Sequence, residues 1–230
     1  MHFLTTNTSY MTTVFFLPKN SLYFKQVNFH TFLGEQLDEI NILSIKSCAK
    51  NHSRENYTII IWTRHGNEYK SSYENEFKEF KNIQIKELEH NRDVINIRNE
   101  VLLHIGGCWF DPRYVFLKPL EPLLWTYGRY VCVFNKGTSI KDINDSFMIS
   151  LVPQNNDFTS FLDNDSTNTL MLPSSWIDPL SVENPFTKIN DYDIIYNKMI
   201  PVESYMIHCG TLAKHIEEKS LLGDIINKEA

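Results

Sequence analysis

The stretch Arg98-Asn99-Glu100-Val101-Leu102-Leu103-His104-Ile105-Gly106-Gly107-Cys108-Trp109-Phe110-Asp111-Pro112-Arg113 changes character twice. From Val94 to Ile105 the apolar spacing is helical, and Gly106-Gly107 offers the left-handed conformation with which helices commonly close. Cys108-Trp109-Phe110 then reads as a short buried strand, which stops at Asp111-Pro112 because proline has no N–H to give a ladder. Upstream the same alternation repeats. Leu22–His30 reads as a strand, Leu37–Lys50 as a helix, and Tyr57–Trp62 as a β-branched strand of the kind buried on both faces. Glu68–Phe80 reads as a polar helix and Ile83-Gln84-Ile85 as a short strand. Strands alternating with helices predict an α/β domain with a central, mostly parallel sheet flanked by helices.

Downstream of Leu120 the pattern loosens. Tyr130–Phe134 is a strand, Phe147–Val152 suits helix or strand, Asp157–Leu162 is helical and Asp163–Thr169 is a polar loop. Ala213–Asn227 is helical by composition, with Gly223 as a break. Residues 1–20 lack periodicity and are read as a leader or extra edge element, and 21–230 as one domain. Within it, 21–125 carries the regular alternation and 126–230 the looser half.

A chain of 230 residues is long enough for one sizeable core. A net charge of -6 with scattered cations argues against nucleic acid as a partner. The apolar run Met11–Pro18 is too short to span a bilayer and lacks the flanks of a signal peptide, so a cytoplasmic protein without a transmembrane segment is expected. Cys48, Cys108, Cys132 and Cys209 form no C-x-x-C pair and read as reduced, buried thiols.

Open parallel sheets bind ligands beyond the carboxyl ends of their strands. Those positions are Phe29-His30-Thr31, Trp62-Thr63-Arg64 and Asp111-Pro112-Arg113, which offer aromatic rings, a histidine, an acid and two arginines for a base, a ribose and a diphosphate. On spacing alone, the favoured reading makes Phe29 and Trp62 core aromatics and the charged residues solvated loop positions.

The segment from Arg98 through Asp111 to Leu117-Lys118-Pro119 resembles the DXD sugar-binding region of retaining glycosyltransferases with the GT-A fold. That family includes the initiating mannosyltransferases of yeast, capsular polysaccharide enzymes and the glycosyltransferase domains of large clostridial toxins. Arg98, Glu100, Leu102, Gly106, Gly107, Asp111, Leu117, Lys118 and Pro119 fall on its pattern without a gap. Phe29-His30-Thr31-Phe32 is similar to its opening I-H-x-x-W, Leu43–Ser47 to its first helix, and Tyr205–Gly210 to its late histidine segment. The resemblance spans Val27–Lys214, and implies a single GT-A-like domain that binds a UDP- or GDP-sugar and moves a hexose to a glycan or protein hydroxyl with retention.

It also implies roles. Phe29 and Trp62 would face the base, Asp111 the ribose or sugar hydroxyls, and Arg113 and Lys214 the diphosphate, with His30 also among the substrate-binding residues. Arg98, Gly107 and Gly210 would line the donor site, with Trp176 and Asp178 on the acceptor side. Asn144 would meet the donor sugar or acceptor, and Asp145 would orient an acceptor hydroxyl or cap a helix. Two positions depart from the pattern. The second acid of D-x-D is Arg113, and an aspartate expected near the ribose is Ile95. A Mn(II) or Mg(II) ion would keep Asp111 and His208 as its protein ligands, fewer than a hard cation takes. A guanidinium in the ion's place would neutralise the diphosphate without metal. The alternative is a catalytically inactive binding protein with the same pocket. Neither G-x-G-x-x-G nor G-x-x-x-x-G-K-[ST] occurs, which argues against the commonest unrelated nucleotide binders.

Overall fold

The computed structural model describes residues 26–88, 93–128, 130–135, 143–163, 169–178 and 203–209. The expected leader and the helix expected over Ala213–Asn227 lie outside them. Strand β1 (Val27–Phe32) is followed by α1 (Glu39–Asn51), β2 (Tyr57–Arg64), α2 (Lys70–Phe77), β3 (Ile83–Leu88), α3 (Val94–His104) and β4 (Gly107–Phe110). Next come β5 (Tyr114–Phe116), α4 (Glu121–Tyr127), β6 (Val131–Asn135), β7 (Ile143–Ser150), α5 (Asn156–Leu162), β8 (Thr169–Leu172), α6 (Ser174–Ile177) and β9 (Met206–His208).

Seven strands form one sheet in the order β3-β2-β1-β4-β7-β6-β8. Strands β1 to β4 run parallel, β7 pairs antiparallel with both β4 and β6, and β8 runs parallel to β6. The sheet is mostly parallel, as the alternation predicts, with β7 as its one reversed strand. In β2, Tyr57 to Thr63 are all buried, because helices cover both faces.

Alternating side chains send Phe29, Ile59, Cys108, Phe110, Phe147 and Ile149 into a core shared with α1 and α4, and Ile60, Trp62, Trp109 and Met148 into one shared with α3 and α5. Phe147–Val152, open between helix and strand, falls largely in β7 because it completes the ladder against β4. Thr169, placed in a loop by its polar surroundings, instead opens β8, where it pairs with Val131.

Beyond Phe110 the chain leaves the main sheet, and β5 pairs antiparallel with β9 in a separate ribbon. Helix α1 satisfies the other edge of β5 with side chains. Asn41 Nδ2 donates to the Pro112 carbonyl (3.1 Å), Ser44 Oγ to that of Tyr114 (2.6 Å) and Asn51 Nδ2 to that of Phe116 (3.0 Å). Ser47 Oγ accepts the Phe116 N–H (3.0 Å), and His52 Nε2 accepts that of Leu120 (2.9 Å). Spacings of three and four residues put Asn41, Ser44, Ser47 and Asn51 on one helix stripe, which explains why polar Ser44 and Ser47 are buried. An Asp38–Asn41 capping box fixes the start of that stripe. Among the described residues, no helix is long and apolar enough to cross a membrane.

Candidate functional site

Strand β4 delivers Asp111 to the carboxyl end of the sheet. Its N–H donates to the Ser146 carbonyl in β7 (2.8 Å), and its Oδ1 accepts the Arg113 N–H (3.0 Å). The Tyr114 N–H returns to the Asp111 carbonyl (3.0 Å), closing a tight turn. Asn41 holds that turn at Pro112, and the Cys209 N–H holds it at the Arg113 carbonyl (2.9 Å). Ribbon pairing of Tyr114 with His208 brings His208 Nε2 to 3.8 Å from Asp111 Oδ1. The Tyr114 ring stands edge-on to His208 with centroids 4.7 Å apart, and its hydroxyl meets Ser146 Oγ at 2.8 Å. The side chains of Asp111 and His208 keep 38% and 18% exposure, so a ligand can reach both.

No protein-family model matches the chain, and no curated protein matches it in sequence. Among solved structures it is similar to the galactosyltransferase LgtC in complex with donor and acceptor sugar analogs, with a TM-score of 0.55 and 10% identity over 88% of this chain and 95% of that one. The PaToxG glycosyltransferase gives a TM-score of 0.44 at 16% identity over 60% of this chain, and GlyE of Streptococcus pneumoniae TIGR4 gives 0.44 at 10% over 65%. The match spans 59% of the PaToxG chain and 46% of the GlyE chain. The fold is GT-A.

Within this GT-A frame, the structure joins Asp111, Arg113 and His208, three residues far apart in part of the sequence. Asn144 and Asp145 lie in β7, immediately before Ser146, with Asn144 in register with Phe134. Asp145 is therefore a strand residue, and the helix-cap reading is corrected. Gly210 and Lys214 lie outside the described residues.

Asp111 and His208 supply two donors for a divalent ion, and the described residues contain no group of three that would hold one. Among the described residues, a divalent ion at this turn would draw the rest of its ligands from the substrate's phosphates and water. The position after Pro112 carries a cation of the protein's own instead, Arg113.

Several residues expected to face the donor are placed in the core. Phe29 is fully buried, with its ring 4.3 Å from His52 and 6.1 Å from Phe116, so it offers no face to a base. His30 is fully buried too: its Nδ1 accepts from Trp62 Nε1 (3.2 Å), which makes Nε2 the donor to the Gly106 carbonyl (3.0 Å). Burial lowers its pKa from 6.5 to about 4, so it is a neutral tie between β1, β2 and the glycine turn. Trp62 is buried in that tie.

Gly107 packs directly on the β1 backbone. An added Cβ would stand 2.2 Å from the Asn28 carbonyl oxygen, and φ is +130°. Gly106, at φ +72°, caps α3 and would bring a Cβ to 2.6 Å from the Leu151 carbonyl oxygen. Arg98 is buried in α3, with Nε donating to Asn99 Oδ1 (3.1 Å).

Trp176, in α6, packs with Tyr127 and Tyr205, its carbonyl accepting the Tyr205 N–H (2.7 Å). Asp178 is buried, and its charge adds to the desolvation that pushes the Cys209 thiol up to about 12. Sequence reasoning missed Asn41, Tyr114 and Ser146. The polar stripe on α1 was visible as spacing, but only the separate β5–β9 ribbon gives it a purpose.

Proposed function

We propose that this chain is a glycosyltransferase that moves a hexose from a UDP- or GDP-sugar to a hydroxyl of a glycan or protein, with retention at the anomeric carbon. The observation that carries the reading is the Asp111–Arg113 turn at the carboxyl end of β4, flanked by His208, in a GT-A fold. In the reaction the bond from the anomeric carbon to the diphosphate oxygen breaks, a bond to the acceptor oxygen forms, and the proton of the acceptor hydroxyl passes to the departing diphosphate. Asp111 orients ribose or sugar hydroxyls, and Asn144 and Asp145, beside it on β7, serve the donor sugar and acceptor. Arg113 neutralises the departing diphosphate in the role a metal ion fills elsewhere, because a planar guanidinium matches phosphate oxygens. Trp176 and Lys214 remain assigned to the acceptor and the diphosphate.

The test is release of diphosphate from a panel of nucleoside diphosphate sugars, in EDTA and in Mn(II). Turnover in EDTA that Arg113→Ala lowers by about a hundredfold is the expected result. Turnover that requires Mn(II), improved by Arg113→Asp, would overturn the metal-free role. A second reading, binding without transfer, is favoured by the loss of the second acid at Arg113. It predicts donor binding by calorimetry with no product for any acceptor.

A further inference from the structure

Strand β7 outruns its partner at the carboxyl end of the sheet. It begins at Ile143, but its ladder with β4 begins only at Phe147, opposite Phe110. On its other side the pairing with β6 lapses: between Cys132↔Ile149 and Phe134↔Asn144, β7 takes five steps where β6 takes two. Asp145 and Ser146 therefore lie in a bulge that has left β6 and has not yet reached its ladder with β4. A bulge bends its strand and re-aims the side chains beside it, so other contacts must hold its shape.

Ser146 makes such contacts. Its carbonyl accepts the Asp111 N–H (2.8 Å), and its Oγ shares a hydrogen bond with the Tyr114 hydroxyl (2.8 Å). The second bond comes from a side chain that is itself held in place. Tyr114 is fully buried, with its ring centroid 4.7 Å from that of His208 and 6.2 Å from that of Phe147. Its N–H donates to the Asp111 carbonyl (3.0 Å), and its carbonyl accepts from Ser44 Oγ (2.6 Å). One residue thus touches Asp111, His208 and the β7 bulge, and its hydroxyl reaches from the β5–β9 ribbon to the main sheet. A ring locked by packing delivers that hydroxyl to one place.

We propose that Tyr114 is a positioning residue: its hydroxyl, through Ser146, sets the spacing between the Asp111–Arg113 turn and Asn144–Asp145, and so aligns donor with acceptor for transfer. The inference rests on the glycosyltransferase reading. Tyr114 is buried beneath the turn and acts on alignment, which turnover feels and donor affinity does not. A misplacement of about 1 Å can cost about a hundredfold in rate. The Asp111–Ser146 backbone bond survives removal of the hydroxyl, so a smaller loss, about tenfold, is expected.

Tyr114→Phe keeps the ring and its backbone bonds and removes the hydroxyl alone, and Ser146→Ala removes the same bond from the other side. Steady-state diphosphate release from UDP- and GDP-hexoses is measured for the wild type, both variants and the double variant, together with calorimetric titration of UDP and GDP. Each single variant is expected to lower kcat about tenfold, with donor KM and nucleotide Kd within about twofold of wild type. The double variant is expected to be no slower than either single one, because one bond is removed twice. Tyr57→Phe controls for lost stability: it deletes a hydroxyl bonded to Glu121 (3.0 Å) at the amino end of the sheet and should leave kcat unchanged. If Tyr114→Phe does not fold, Ser146→Ala still reads the bond. Unchanged kcat, additive losses, a matching loss of nucleotide affinity, or an equal loss in Tyr57→Phe would overturn the positioning role and leave the transferase reading standing. A wild type that releases no diphosphate from any donor would overturn that reading and this inference with it.

Discussion

At the scale of single residues, the site turns on Arg113 and on two glycines. In the proposed reaction the Arg113 charge meets the departing diphosphate, and removing one well-placed donor to developing charge typically costs about a hundredfold in turnover. Arg113→Ala is expected to lower diphosphate release by that order while leaving the unfolding midpoint unchanged; loss of stability in place of activity would refute the role. Gly107 and Gly66 separate strain from collision. Both have positive φ, but a Cβ on Gly66 meets nothing within 4 Å, whereas one on Gly107 enters the Asn28 carbonyl. Gly66→Ala should cost about 1 kcal/mol from conformation alone. Gly107→Ala should cost more than about 3 kcal/mol, because β1 and β4 must separate. Urea unfolding of both variants, side by side, checks the difference. The glycine pair was legible as a helix stop, but that Gly107 answers to a neighbouring strand was not, since Asn28 is distant in sequence.

At the scale of elements, α1 acts as a surrogate partner strand for β5. Ser47 Oγ accepts the Phe116 N–H and donates to the Ser44 carbonyl (2.9 Å) in a buried setting. Ser47→Ala leaves that N–H without its partner and is expected to destabilise the fold by about 1–3 kcal/mol. Because β5 carries the Asp111–Arg113 turn toward His208, the same variant should also weaken nucleotide binding, measurable by calorimetry; stability lost with affinity intact would uncouple the ribbon from the site. Sequence periodicity located α1 within two residues at each end, since its apolar positions are a local signal, whereas the Asp38 cap emerges only in the structure. It left β7 ambiguous and Asp145 open to a capping role, because a run such as Phe147–Val152 suits either period until a partner strand is present.

Across the whole molecule, two buried histidines make stability depend on pH. His52 accepts the Leu120 N–H at Nε2 and donates from Nδ1 to the Cys48 carbonyl (2.9 Å), the opposite tautomer to His30. Burial lowers both from 6.5 to about 4. Between those values the unfolded chain binds more protons than the folded one, so stability falls as pH drops from about 6.5 toward 4 and levels off below it. The two together should remove on the order of 6 kcal/mol over that window. Urea midpoints measured from pH 7 to pH 4 test this, and a flat profile would refute the neutral buried state.

The α/β class, the glycine-closed helix running into the β4 strand, and the Asp111–Arg113 pair were all written locally, in apolar period and turn chemistry, and the sequence alone determined them. Only the tertiary structure decided which aromatics are core and which residues meet. Burial of Phe29 and Trp62, the approach of His208 to Asp111 and the separate β5–β9 ribbon depend on contacts between segments as far apart as Asp111 and His208. Period and propensity describe a residue's neighbours along the chain, while those contacts are set by the packing of whole elements on one another.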